Sequence, residues 1–491
     1  MSLLAAEAVI PPVNHIQDLL IAGRPVAGDG PALDVVDPAN GQLMGRVGTS
    51  SPAQVAATVR AGAQAVRESG WADRPAHERA RVLSRAADEI ERQADHLAEL
   101  QMRENGKTRK ESRAQAMSAA GIFRYYAAVC ECSEESMPPA RGAYFTMQVY
   151  EPVGVVAALT PWNSPLTMGA QKIAPALAAG NAVVLKAAET TSFVTLALGQ
   201  CVVAAGLPEG LLSVIAGGRE TAVALVEDPG VGLISFTGGT STGQSIARGA
   251  AARLVPLILE LGGKSPHIVF ADADLDAAAS AVANGIFGGT GQSCVAGSRL
   301  FVEESVADAF RERLIAQAAA LRLGPPADPE SMIGPLASFA HRDRVEAFVA
   351  KGVEAGGEIL FGGQRPAGGE FAEGAYFQPT IIGGIDNASA IAQEEIFGPV
   401  LCFMTFKDED ALIAAANDSV YGLAAGIWTE NYRRAWRVAR ALEAGTVWIN
   451  TYKQLSIAAP FGGFKLSGLG REKGIEGMRA YQQVKSLYWA T

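Results

Sequence analysis

Val153-Gly154-Val155-Val156-Ala157-Ala158-Leu159 runs into Thr160-Pro161-Trp162-Asn163-Ser164-Pro165, then an amphipathic stretch Pro165–Ala178, then Ala182-Val183-Val184-Leu185. An apolar run, a proline-bounded turn, a helical pattern and a second apolar run are the parts of a parallel βαβ unit. The pattern continues downstream. Strand candidates are Val153–Leu159, Ala182–Leu185, Leu212–Ile215, Leu233–Phe236 and Val255–Leu259, with helical stretches Pro165–Ala178, Val194–Ala205 and Thr242–Ala252 among them. Strand centres lie about 20–30 residues apart, as crossover connections require. The reading is an open, doubly wound parallel sheet.

Upstream, Pro75 to about Glu104 carries Leu83, Ala87, Ile90, Ala94 and Leu97 at helical steps, with Gly106 as a stop. Helical pattern resumes over Lys110–Cys130. The polar stretch Ser133–Arg141, with Pro138-Pro139, breaks it, and Ala143 to Tyr150 alternates weakly, as an exposed or partner-covered hairpin does. Downstream lies a second α/β unit: a strand at His267–Phe270, helices at Leu275–Phe287, Val306–Leu321 and His341–Ala355, strands at Val400–Phe406 and Thr446–Ile449, and a helix at Arg434–Leu442.

The 491 residues suit two or three domains, and 49% hydrophobic with 19% charged residues excludes a disordered or fibrous chain. A net charge of −10 leaves no electrostatic footprint for nucleic acid or an anionic membrane. Five cysteines (Cys130, Cys132, Cys201, Cys294, Cys402) are too sparse for a disulfide framework or a zinc ribbon, so no metal is expected. Met1–Pro12 is apolar but lacks a basic start and is too short to span a bilayer. A cytoplasmic protein with reduced thiols is the expectation.

Several windows carry candidate chemistry. Gly291-Gln292-Ser293-Cys294-Val295-Ala296-Gly297 sets a cysteine among small neighbours, giving a nucleophilic thiol access; a buried structural cysteine is the alternative. The five histidines (His15, His77, His96, His267, His341) avoid the glycine-rich motifs, which disfavours a Cys-His site. Glu260, between an apolar strand and Leu261-Gly262-Gly263-Lys264, is the better base, or else a salt-bridged strand-end carboxylate. Asn163 offers an amide N–H to an oxyanion, or caps a helix. Lys186 and Glu189 suit ribose hydroxyls, or form a surface ion pair. Thr237-Gly238-Gly239-Thr240-Ser241-Thr242-Gly243 turns a strand into a helix and suits a pyrophosphate, without being a G-x-G-x-x-G fingerprint. Glu395-Ile396-Phe397-Gly398-Pro399 reads alone as a turn before a strand.

Together these windows resemble the aldehyde dehydrogenase superfamily in order and spacing. The matching stretches are Pro161-Trp162-Asn163, Lys186 with Glu189, Phe236-Thr237-Gly238, Glu260 to Lys264, Gly291-Gln292 with Cys294, Glu395 to Pro399, Trp448-Ile449-Asn450, and Pro460-Phe461-Gly462-Gly463 with Lys465 and Ser467-Gly468. The resemblance covers about Asp37 to Leu487. It implies two open α/β domains, a Rossmann-like cofactor domain (1–132 and 152–262) and a catalytic cysteine domain (263–466). A small β oligomerisation element (133–151 and 478–491) would complete the fold, in a homodimer or homotetramer.

The resemblance also implies roles. Cys294 would attack an aldehyde, Asn163 and the Cys294 N–H would hold the oxyanion, and Glu260 would activate the water that hydrolyses the thioester. Trp162, Lys186, Glu189, Gly238, Gly239, Thr240, Gly243, Glu395 and Phe397 would bind NAD. Glu189 favours NAD over NADP, because a carboxylate repels a 2′-phosphate; dual use stays open. Ala187, Gly239 and Val214-Ile215-Ala216-Gly217-Gly218 depart from the usual pattern without removing a chemical group. Ser164, Met168, Gln171, Ser293, Val295 and Leu455 would form a roomy, polar substrate pocket. Lys453 would sit near its mouth, as a lure for an anionic semialdehyde or as a solvated lysine. The rivals are a CoA-acylating enzyme, disfavoured by Glu260, and a catalytically inactive family member serving as a binding or structural protein.

Overall fold

The computed structural model describes residues 15–491; the Met1–Pro12 stretch lies outside the described residues. Two sheets organise the chain. The first has eight strands in the order Gly468–Leu469, Leu257–Glu260, Val231–Thr237, Val155–Leu159, Ala182–Lys186, Leu212–Ile215, Leu19–Ile21 and Arg24–Val26. Its five central strands are parallel. Val155–Leu159 and Ala182–Lys186 are buried throughout, as strands covered on both faces must be. The second sheet has seven strands in the order Glu358–Phe361, Thr380–Gly383, Val400–Phe406, Arg299–Glu303, Pro266–Val269, Ala424–Trp428 and Thr446–Ile449. All of its pairs except the first are parallel. This mixed α/β architecture agrees with the sequence reading.

Several elements differ from expectation. Pro75–Glu104 is two helices, Ala76–Arg92 and Ala94–Asn105, divided at Gln93, which leaves helical geometry. The second stops at Gly106 in the left-handed region (φ 76°), as expected. Helix Pro52–Glu68 has no counterpart among the expected elements, although Ser51 caps it and proline opens it. The strands between Ile16 and Thr49 carry little apolar signal: three are short, Gly30–Val36 is largely solvated, and the mostly buried Leu43–Thr49 is broken up by Gly45, Arg46 and Gly48.

The expected hairpin near Ala143–Tyr150 is a different structure. Strand Tyr144–Pro152 pairs antiparallel with the C-terminal strand Gln482–Ala490 over its whole length. Phe145 stacks on Trp489 with ring centroids 5.9 Å apart, and Tyr144 meets Tyr488 at 5.5 Å. Trp489 nevertheless stays 63% exposed and Tyr488 70%. No helix among the described residues is long and apolar enough to cross a membrane.

Candidate active site

Strands Val155–Leu159 and Val231–Thr237 are sheet neighbours, but the chain builds outward from them in opposite directions. Such a switch point leaves a crevice at the carboxyl ends of the strands. A cavity of about 700 Å³ opens there and reaches the Cys294 loop of the second sheet. Trp162, Asn163, Ser164, Met168, Gln171, Gly238, Gly239, Glu260, Ser293, Cys294, Val295, Glu395, Phe397 and Leu455 all line it.

The remaining expected residues do not line the cavity. Lys186 Nζ lies 2.7 Å from Glu189 Oε1, just before the lining residue Thr190. Thr240 opens helix Thr240–Ala251 immediately after Gly239. Gly243 packs where a Cβ would lie 2.5 Å from Leu261. Lys453 is half-buried in left-handed geometry (φ 56°) and is not among the residues lining the cavity, although Leu455 two positions on is. Burial, with Lys107 nearby, brings its amine down to about 8.

The nucleophile candidate is carried by an unusual turn. Gly289, Thr290 and Gly291 all have positive φ (67°, 57° and 70°). Thr290 Oγ1 donates to Gly334 O at 2.9 Å, and the Ala337 N–H donates to Gln292 Oε1 at 2.8 Å. On the other side, Tyr452 OH donates to Val295 O at 3.0 Å. Gly263 runs so close that a Cβ there would stand 2.5 Å from the Cys294 carbonyl oxygen. Burial pushes the Cys294 thiol up to about 12, and the Glu395 and Glu260 carboxylates add to the effect.

Asn163 does not occupy the cap position of helix Pro165–Ala178, which belongs to Ser164. Its Nδ2 donates to Gln292 O at 2.9 Å, two residues before Cys294. An amide nitrogen carries two donors, so one N–H remains for the cavity. Glu260 ends strand Leu257–Glu260 with neither carboxyl oxygen hydrogen-bonded among the described residues. Burial raises it well above the usual carboxylate range, and Glu472 raises it further, while Lys172, Arg471 and Lys473 oppose. A Cβ at Gly462 would stand 2.9 Å from Glu260 Oε1, so that glycine gives the carboxylate its room.

Glu395 Oε1 accepts the Gly263 N–H at 3.0 Å. Burial brings its carboxyl up to about 7. Phe397 (φ 61°) meets Trp162 edge-on at 5.3 Å.

Four residues that touch or adjoin this cavity escaped the sequence reading. His341 Nε2 contacts Phe397 O at 2.7 Å. A carbonyl only accepts, so Nε2 carries the proton, and burial lowers the imidazole pKa. Lys172 Nζ lies 2.7 Å from Glu472 Oε1, and Glu472 and Lys473 both line the cavity. A signal existed for Lys172, the one charged residue of helix Pro165–Ala178. Arg471-Glu472-Lys473 reads only as a solvated turn.

The aldehyde dehydrogenase family model matches residues 26–487. The fold is similar to that of a Burkholderia cenocepacia protein assigned as an aldehyde dehydrogenase, at 40% identity, covering 96% of this chain and 97% of that one, with a TM-score of 0.94. PnpE from Pseudomonas sp. WBC-3 matches at 39% identity, over 97% of this chain and 98% of its own, with a TM-score of 0.94. Betaine aldehyde dehydrogenase from Staphylococcus aureus, in complex with NAD+, matches at 35% identity over 97% and 95%, with a TM-score of 0.95.

Proposed function

The chain belongs to the aldehyde dehydrogenase family, and from that premise we propose that it oxidises a small aldehyde to the carboxylic acid with NAD. The observation that carries this reading is the convergence of Cys294, Asn163 and Glu260 on one cavity. Thiol, amide donor and carboxylate are the three groups an acyl-enzyme route needs.

The cavity suits the dinucleotide. Thr237 lines it with a buried Oγ1 that has no partner among the described residues, and open space stands where a Cβ of Gly239 would be. Lys186 and Glu189 would hold the adenine ribose. The Gly238–Gly243 backbone and Thr240 would approach the pyrophosphate, Glu395 the nicotinamide ribose, and Trp162 and Phe397 the nicotinamide. NAD, when bound, supplies the hydride acceptor. Glu189 favours NAD over NADP.

The chain's own groups do the rest. Cys294 sulfur adds to the aldehyde carbon, giving a thiohemiacetal whose oxygen the Asn163 amide and the Cys294 N–H hold. After oxidation a thioester remains on Cys294. Glu260 takes a proton from water as that water attacks the thioester carbon, releasing the acid and the free thiol. Ser164, Met168, Gln171, Ser293, Val295 and Leu455 would shape the side of the pocket that sorts aldehydes.

We assign 1–132 with 152–262 to cofactor binding, 263–466 to catalysis, and 133–151 with 478–491 to assembly into a cytoplasmic dimer or dimer of dimers. The exposed Tyr488 and Trp489 support an assembly surface. The test is a panel of aliphatic, aromatic and amino-aldehydes with NAD, read at the NADH absorbance band and repeated with Cys294→Ala. Turnover lost in the variant supports the reading. No turnover over the whole panel would favour an inactive family member.

A further inference from the structure

Lys473 is held in a backbone conformation that side chains avoid. Its φ and ψ are 63° and 172°, a region occupied almost only by glycine. Strain of this kind persists only where the surroundings impose it, and it clusters at functional sites. Here it delivers a lysine to the wall of the cavity that holds Cys294 and Glu260. Lys473 is 6% exposed, and its ammonium rests 4.8 Å from the Phe461 ring centroid. Among the described residues no hydrogen bond satisfies that ammonium. The neighbouring Glu472 is committed to Lys172 at 2.7 Å. Burial lowers the Lys473 amine, and the Glu472 and Glu260 carboxylates only partly offset that cost, whereas an apolar side chain would pack on Phe461 without it.

The charges around Cys294 come from several elements. Glu260 at its strand end and Glu395 before strand Val400–Phe406 both disfavour a thiolate, whereas Lys473 favours one. Lys453 also feels the thiol, but it lies outside the cavity lining and is shared with Glu111. We propose that Lys473 is the electrostatic partner of Cys294, its ammonium holding the attacking thiolate across the shared cavity. This rests on Cys294 being the nucleophile of the proposed reaction. In the step it assists, the S–H bond breaks, the proton leaves to solvent, the electron pair stays on sulfur, and Lys473 keeps its three protons. Lys473 acts through Cys294 and is a positioning residue.

The test is alkylation of Cys294 by iodoacetamide in enzyme free of cofactor and aldehyde, followed on the Cys294 peptide by mass spectrometry. It reads the thiol and not turnover. Lys473→Met should react about three- to fourfold more slowly between about pH 6 and pH 8, the net of about tenfold less thiolate and a more nucleophilic sulfur. Lys473→Arg, which keeps the charge, should stay within about twofold of the parent. Lys473→Gly relieves the backbone and should melt no lower than the parent while reacting as slowly as the Met variant; it serves if the Met variant fails to fold. Equal rates in parent, Met and Gly forms would overturn the proposal, as would an Arg variant slowed as much as Met. Charge-dependent alkylation in an enzyme that oxidises no aldehyde would support the role of Lys473 and defeat the proposed function separately.

Discussion

Lys172 Nζ lies 2.7 Å from Glu472 Oε1, with both side chains sealed from solvent. Lys172 also donates to Ser235 Oγ at 2.9 Å, so the pair ties helix Pro165–Ala178 and strand Val231–Thr237 to the C-terminal segment. Lys172→Met would leave a buried carboxylate without its partner and should cost about 3–5 kcal/mol. Lys172→Met with Glu472→Leu should recover most of that loss. Urea unfolding midpoints check this; equal destabilisation of the single and double variants would show the two charges to be uncoupled.

The same pair controls Glu260. Glu472 adds to the burial that raises Glu260, and Lys172 opposes it. Glu472→Gln removes the raising charge and frees the lowering one, so both changes pull Glu260 down. Hydrolysis of the acyl-enzyme needs Glu260 ionised, so its acid limb should move to lower pH. The measurement is the pH profile of deacylation after loading with p-nitrophenyl acetate, and an unmoved limb would refute the coupling.

Much of this was legible in the sequence where burial is one-sided or total. Pro165–Ala178, Leu212–Ile215, Leu275–Phe287, Val400–Phe406 and Thr446–Ile449 stand at the residues their patterns mark. Ala424–Trp428 and Arg299–Glu303 were not expected: the first is mostly small residues, and the second sets a buried arginine inside a strand. Arg299 is satisfied by the carbonyls of Lys264, Ala415 and Ala416, which no local pattern reveals. The site divides in the same way. Cys294, Glu260 and Asn163 sit in local windows of glycine and small residues. Lys172 and Glu472 meet across 300 positions, so only tertiary structure joins them.

Glu189 should set cofactor choice. Its carboxylate is half-exposed beside Lys186 at 2.7 Å. Glu189→Gln keeps an acceptor for a ribose hydroxyl while removing the charge that repels a 2′-phosphate. The ratio of kcat/KM for NADP to that for NAD should rise about tenfold or more. Steady-state kinetics with both cofactors decides; an unchanged ratio would mean that Glu189 does not face the 2′ position.

Glu395 should make NAD binding depend on pH. Burial holds its carboxyl at about 7, and only the ionised form accepts from both ribose hydroxyls. The Kd for NAD should therefore rise as pH falls through about 7, and Glu395→Gln should flatten that dependence. Gly262→Ala offers a second handle, because its Cβ would run into the Glu395 carboxylate; it should weaken NAD at every pH. Titration by intrinsic fluorescence reads both, and a pH-independent Kd in the parent enzyme would contradict the role.

Glu104 should impose a pH dependence on stability. It is wholly buried and accepts the Phe193 and Val194 N–H groups, at 2.7 and 2.9 Å, at the start of helix Ser192–Ala204. Burial raises its carboxyl from 4.5 to about 8, and those two hydrogen bonds only partly oppose the rise. Between those values the native state keeps a proton that the unfolded chain has released. Stability must then fall as pH rises through that window, by at most about 1.4 kcal/mol per pH unit from this group. Glu395 and Glu260 shift in the same direction, so the telling quantity is a difference. Glu104→Gln keeps an acceptor oxygen but cannot ionise. Its melting temperature should lie below the parent's near pH 5, where keeping the proton costs the parent little, and the gap should narrow or reverse near pH 8. Differential scanning fluorimetry of both forms across that range is the measurement; parallel curves would mean that Glu104 does not titrate there.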